Sequence, residues 1–219
     1  MISFTEENYL KAIYHLIEQE GEAVTTNAIA EKINTKAASV TDMLKKLSDK
    51  KLINYQKYQG VTLTPKGEKT ALNIIRKQRL WEMFLVEKLD FKWDEVHDAA
   101  EQLEHIKSDK LIEQLDKFLN YPKVDPHGDP IPDAKGRLQI QKSHLLSKFK
   151  KNDVCIMTGV VDHSPAFLQY LDKSGITLGN EIKIKEIIEF DRSLQIITGR
   201  QKTIFISNDV AKNILVIAK

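Results

Sequence analysis

The stretch HDAAEQLEH, residues 97–105, sets His97, Glu101, Glu104 and His105 at offsets of zero, four, seven and eight. On an α-helix, which turns about 100° per residue, these side chains fall within an arc of roughly 80°. Two imidazoles and two carboxylates on one stripe form a donor set for a divalent cation, with neutral nitrogen and anionic oxygen combined. A polar helix face with an accidental cluster has the same spelling, so the spacing alone leaves both readings open.

The rest of the chain narrows the chemistry. With 219 residues, 42% hydrophobic and 29% charged, it has room for one large domain or two to three small ones. There is no run of 18 apolar residues, so no membrane span is expected. The start, MISFTEENYL, lacks a basic and apolar leader, and the expected location is cytoplasmic. A lone cysteine, Cys155, excludes an internal disulfide framework and a multi-cysteine zinc or iron–sulfur site. Charge is unevenly spread. Lys36 to Lys69 holds eight lysines against three acids, while residues 73–142 hold twelve Lys/Arg against fourteen Asp/Glu. A polyanion-binding surface and a cation-binding surface are therefore expected side by side.

The elements that must position these groups follow from periodicity. Residues 5–20 read as a helix with Tyr9, Leu10, Ile13, Leu16 and Ile17 inward, Thr5 as N-cap and Gly21 as its end. TTNAIAEKIN and KAASVTDMLKKLSDKK form two further helices, the second burying Val40, Met43, Leu44 and Leu47. LINYQKYQGVTLT then reads as a β-hairpin. Two short helices followed by a hairpin with lysine and tyrosine is the order of a winged helix-turn-helix. Thr64-Pro65 opens a long helix to about Leu89. Two more helices follow, one carrying the opening stretch and one capped by Ser108, and apolar Trp81, Phe84, Leu85, Leu111 and Leu115 suit a homodimer face, with ordinary intrachain core as the alternative. YPKVDPHGDPIPDAKG, with four of the six prolines, marks a boundary. Beyond it, short β-rich runs around one helix at SPAFLQYLDKSG suggest a small barrel.

In such a winged helix the second helix enters the major groove. Lys36, Ala38, Ser39, Thr41 and Asp42 would face bases, and Lys45, Lys46, Lys57 and Tyr58 would face phosphates of double-stranded DNA.

On TEENYLKAIYHL, AASVTDMLKKLSDKKLI, LTPKG, RLWEMFL, EVHDAAEQLEH and DPHGDPIPD, the chain resembles the diphtheria toxin repressor family, including its manganese-responsive MntR-type members. The resemblance implies a mainly α protein with a small β domain. Residues 1–72 would be a winged helix, 73–142 a helical metal-binding and dimerisation domain, and 145–219 a Src-homology-3-like barrel. It further implies a homodimeric repressor that reads a palindromic operator when Mn(II) or Fe(II) is bound. The family's effector site would fall on Glu101, Glu104 and His105, completed from the first helix at Asn8 and Lys11. Asn8 offers only a neutral oxygen there, and Lys11 offers no ligand at all. A second site would take Gln78, Glu82 and His97, with His163 and Ala166 at the positions where some barrels supply ligands.

The expected mechanism is electrostatic. Glu101 and Glu104 repel one another until a divalent ion bridges them and ties helices together. Two rival readings are a winged-helix regulator of a non-metal signal and a metal-dependent hydrolase. The latter lacks a clear nucleophile, phosphate loop or cleft in the sequence.

Overall fold

A computed structural model describes residues 2–21, 23–56, 59–139, 141–199 and 202–219. The chain folds as two compact units built from interleaved segments. The first comprises Met1–Gln78, Glu101–Glu113 and Pro132–Leu138, and the second Arg79–Ala100, Gln114–Ile131 and Gln139–Lys219. Residues 73–142 thus contribute to both. Among the described residues, no helix is long and apolar enough to cross a membrane.

The first unit begins with α1 (Phe4–Glu20), whose cap is Ser3, two residues before the expected Thr5. The reason is reciprocal bonding: Glu6 N donates to Ser3 Oγ and Ser3 N donates to Glu6 Oε2, satisfying two otherwise orphan donors. Gly21, at φ 78°, closes the helix with a bond to Ile17 O. Helices α2 (Thr26–Lys32) and α3 (Ala37–Asp49) follow. Val40, Leu44 and Leu47 of α3 meet Leu10 and Ile13 of α1 and Ile29 of α2 in one buried core. Strands β1 (Ile53–Gln56) and β2 (Gly60–Leu63) pair antiparallel, and Val24 bridges Val61 to fasten the hairpin beside α2.

Thr64 caps α4 (Pro65–Leu89), accepting from Gly67 N at 3.1 Å. A methyl group on Gly67 would lie 1.8 Å from Leu52 O, so only glycine lets the helix start this close to the hairpin. Helix α5 (Val96–Leu103) ends earlier than the spacing argument required, and Glu104 and His105 occupy the turn after it. His97, Glu101, Glu104 and His105 therefore do not share one helical stripe. Helix α6 (Asp109–Phe118) is capped by Ser108, whose Oγ accepts from Leu111 N.

In the second unit, Trp81, Leu85 and Leu115 are already buried within the chain, and Phe84 stands edge-on to Trp81. Of the expected dimer face, only Leu111, in the first unit, is exposed, and Phe118 is a second exposed apolar side chain on the same helix. The proline-rich stretch is not a bare boundary. Val124 and Pro130 bridge antiparallel, and Asp125 and Ile131 are buried. Gly128, at φ 93°, sits where a methyl group would lie 2.1 Å from Thr158 O, which lets the loop lie flat against the sheet.

That sheet joins β3 (His144–Leu145), β4 (Val154–Val160), β5 (Glu181–Ile187), β6 (Leu194–Thr198), β7 (Thr203–Ile206) and β8 (Ile214–Ala218). The order is β3-β8-β4-β5-β6-β7, antiparallel throughout. Alternate side chains (Cys155, Met157, Ile182, Ile184, Ile196, Ile214, Val216) face a core completed by Leu168 and Leu171 of α7 (Pro165–Ser174). The last strand and the short helix α8 (Asn208–Ala211) were not legible in the sequence. Burial pushes the Cys155 thiol up to about 12, so it is an inert core residue.

Candidate metal centres

Two carboxylate clusters are built, one in each unit. In the second unit, Glu82 projects from α4 and meets Asp125 and His127 from the loop that Gly128 holds against β4. All three are buried and their ligand atoms lie within 4.8 Å of one another; among the described residues no other His, Cys, Asp and Glu group does so. His127 Nδ1 is 3.8 Å from Glu82 Oε2 and 3.9 Å from Asp125 Oδ1. Its other nitrogen, Nε2, lies 2.7 Å from the Trp93 carbonyl oxygen. A carbonyl can only accept, so Nε2 carries the proton and Nδ1 presents a lone pair to the two carboxylates. Burial lowers the His127 pKa, against the pull of Glu82, which favours the neutral, ligating imidazole.

Asp125 is pushed the other way. Burial raises its pKa well above the ordinary aspartate value, the charges of Asp129 and Glu82 add to this, and Arg79 opposes it. Arg79 Nε stands 3.4 Å from Asp125 Oδ2 and its Nη2 3.2 Å from Asp129. Asp125 Oδ1 also accepts from His127 N at 2.8 Å and Asp129 N at 3.0 Å, a turn that aims the imidazole. His97 Nδ1 reaches Glu82 Oε1 at 3.4 Å. His163 stacks on His127 at 4.8 Å between ring centroids and lies 3.9 Å from Asp129. Two buried carboxylates and an imidazole of fixed tautomer, with a second imidazole beside them, suit Mn(II) or Fe(II); no thiolate is present to favour a softer ion.

The first unit holds the other cluster. Glu104, fully buried, receives Lys11 Nζ at 2.9 Å on both carboxylate oxygens. The same ammonium donates to Glu101 Oε1 at 3.0 Å and Gln78 Oε1 at 3.2 Å. Burial raises the Glu104 pKa and Lys11 lowers it. His105 Nδ1 is 2.6 Å from Glu7 Oε2, and its ring stacks on Phe4.

These positions correct four expectations. Glu101 and Glu104 are not left to repel, because Lys11 lies between them. Gln78, expected with Glu82 and His97, lies one turn before Glu82 on α4, and its amide oxygen accepts from Lys11 of the neighbouring cluster. Asn8 is exposed, and the α1 side chains that reach in are Lys11 and Glu7. Asp125 and His127, within the stretch expected to be a boundary, join Glu82 instead. Their signal was a histidine between acids two residues to either side, with a glycine next to it. Glu82, His97 and His163 do fall together, and so do Glu101, Glu104 and His105, but in separate units.

On α3, Ala38, Ser39, Asp42, Lys45 and Lys46 are exposed, as is Lys36 at its N-terminus. Thr41 is half-buried, its hydroxyl donating to Ala37 O, and Asp42 pairs with Lys45 at 3.3 Å. Lys57 and Tyr58, also assigned to DNA, lie outside the described residues.

Known proteins provide an independent comparison. Residues 1–61 match the iron dependent repressor N-terminal DNA binding domain, and 64–133 the iron dependent repressor metal binding and dimerisation domain. Residues 144–218 match the FeoA domain. The chain is 35% identical over 128 residues to the iron-dependent repressor IdeR of Mycobacterium tuberculosis, covering 58% of this chain and 55% of the relative. It thus spans about half the length of that relative. The regulator MntR of Oceanobacillus iheyensis is 36% identical over 119 residues, 54% of this chain and 80% of the relative. Among solved structures, a manganese-dependent transcriptional repressor in complex with manganese superposes with a TM-score of 0.88 at 33% identity. That match covers 97% of this chain and 99% of the other. ScaR with bound Zn2+ superposes at 0.74 with 35% identity, over 97% and 98%.

Proposed function

The chain belongs to the diphtheria toxin repressor family of metal-dependent transcriptional regulators, and from that premise we propose that it is a cytoplasmic homodimeric repressor responsive to Mn(II) or Fe(II). Its regulatory centre is Glu82, Asp125 and His127, with His97 beside them. The observation that carries this is the His127 imidazole, held by the Trp93 carbonyl so that its free lone pair faces two buried carboxylates. Glu82, Asp125 and His127 would hold the divalent ion, which would supply positive charge where Asp125 and Asp129 share Arg79 and Glu82 lies beside them. The protein's own part is orientation. Asp125 aims the His127 ring through its turn, and Val160 N donates to His127 O at 3.0 Å, anchoring the loop to β4.

DNA is read by α3 on a palindromic operator. Lys45 and Lys46 contact phosphates, where they add salt-dependent affinity, and Lys36 stands with the base-facing residues at the N-terminus of the helix. Ala38, Ser39 and Asp42 face base edges, and with the Thr41 hydroxyl on Ala37 O its methyl is left for a thymine methyl. A duplex selected from a random pool in the presence of Mn(II) provides the test probe. In fluorescence anisotropy, Mn(II) should raise affinity over chelator by about 10- to 100-fold, and His127→Ala should remove that gain. Equal affinity in chelator and in Mn(II) overturns the proposal.

A further inference from the structure

We propose that Lys11 is the resident cation of the cluster formed by Gln78, Glu101 and Glu104, and that its ammonium replaces a metal ion there. The site at the family's effector position is thus permanently filled by the chain itself. Metal responsiveness passes to the Glu82–Asp125–His127 centre alone, at one ion per chain. The count of one rests on the preceding proposal; the role of Lys11 does not.

The geometry fits an ammonium. Its three N–H donors meet three side chains from three segments, at 2.9 Å to Glu104, 3.0 Å to Glu101 and 3.2 Å to Gln78. Lys11 is buried and Glu104 fully so, which leaves Glu104 dependent on the ammonium for its positive partner. Gln78 is explained by the same occupant. An amide oxygen is a good acceptor for N–H and a poor ligand for a transition metal, so Lys11 and Gln78 depart from a metal site in one coherent direction. A divalent ion entering here would face the like charge of the ammonium at hydrogen-bond range. His105 Nδ1 is also engaged, with Glu7 at 2.6 Å.

The consequence concerns α1. Lys11 ties this helix to α4, to α5 and to the turn beyond it. Since that link is covalently part of the chain, it persists when metal is withdrawn. Hydrogen exchange at α1 amides should be the same in chelator and in Mn(II) for wild type, and should become metal-dependent once Lys11 is removed.

Equilibrium dialysis of the 219-residue chain against Mn(II), with bound metal counted by mass spectrometry, tests this directly. Wild type should hold one ion, Asp125→Ala/His127→Ala none, and Lys11→Glu two. Retention of an ion by Asp125→Ala/His127→Ala, with Lys11 intact, would overturn the inference, because metal would then share or displace the ammonium. A folded Lys11→Glu that holds only one ion would overturn it as well. Wild type holding none while Lys11→Glu holds one would remove the regulatory centre proposed above and support the role of Lys11. Because Lys11→Glu adds charge to a buried cluster, Lys11→Met provides an independent reading. Its melting temperature in chelator should fall by about 10 °C, and an unchanged value would overturn the inference.

Discussion

Around Glu104, an ammonium lies 2.9 Å from both carboxylate oxygens; around Asp125, the Arg79 guanidinium stands at 3.4 Å and is shared with Asp129. Both carboxyls are buried and burial raises both; the Lys11 charge opposes that rise at Glu104, whereas the charges of Asp129 and Glu82 add to it at Asp125 against Arg79. The contrast is one of where compensating charge comes from. The Lys11 cluster carries its counter-ion within the chain, whereas the Asp125 cluster adds acid to acid and presents an oriented imidazole lone pair. A buried carboxylate group short of positive charge is a receptor for it. One already supplied is a structural joint.

The largest effect that could break this comparison is in the joint. Lys11→Met leaves Glu104 buried without its partner and should cost about 3–5 kcal/mol in urea denaturation under chelator. Combining it with Glu104→Gln should recover much of that loss, and strict additivity of the two would show that they are not coupled. The receptor should behave differently. His127→Ala should cost about 1–3 kcal/mol of stability in chelator for the hydrogen bond of its buried ring to Trp93, less than Lys11→Met, and remove a further ~1–3 kcal/mol of coupling between Mn(II) and DNA binding, read by anisotropy.

Two smaller effects sharpen the distinction. Lys46→Ala should weaken DNA binding equally with and without Mn(II), and lower the salt slope of log affinity by about one. A metal-selective effect would mean that Lys46 takes part in the coupling. The smallest effect is in pH. Because the folded-state pKa of Asp125 lies above its unfolded value, the folded chain binds the extra proton. Wild-type stability in chelator should then fall, relative to Asp125→Asn, as pH rises from about 3.8 through the raised value. Over the same window Mn(II) affinity should climb, since the ion displaces that proton. Parallel pH profiles of the two proteins would remove Asp125 from the centre.

Much of the scaffold was legible beforehand. Val40, Leu44 and Leu47 recur at helical spacing, Thr64-Pro65 opens a helix, and Ser164-Pro165 opens another, whose cap the structure retains. The site was legible only in part. Glu82, His97, Glu101, Glu104 and His105 were identified, but grouped as if one helix carried the last four, because periodicity does not say where a short helix stops. Asp125 and His127 were obscured by the prolines around them. Lys11 has no lone pair to offer as an ammonium, and its chemistry as a cation is visible only once Gln78, Glu101 and Glu104 are packed around it.

Local chemistry alone determined the winged helix, the capping, the basic second helix and the inventory of acids and imidazoles. These depend on groups within a turn or two of each other, and their energetics are written in neighbouring residues. The pairing of Lys11 with Glu104 across 93 positions, and of His127 with the Trp93 carbonyl across 34, was decided by tertiary structure. Desolvation is what gives such distant contacts their strength, and burial exists only once the chain has packed.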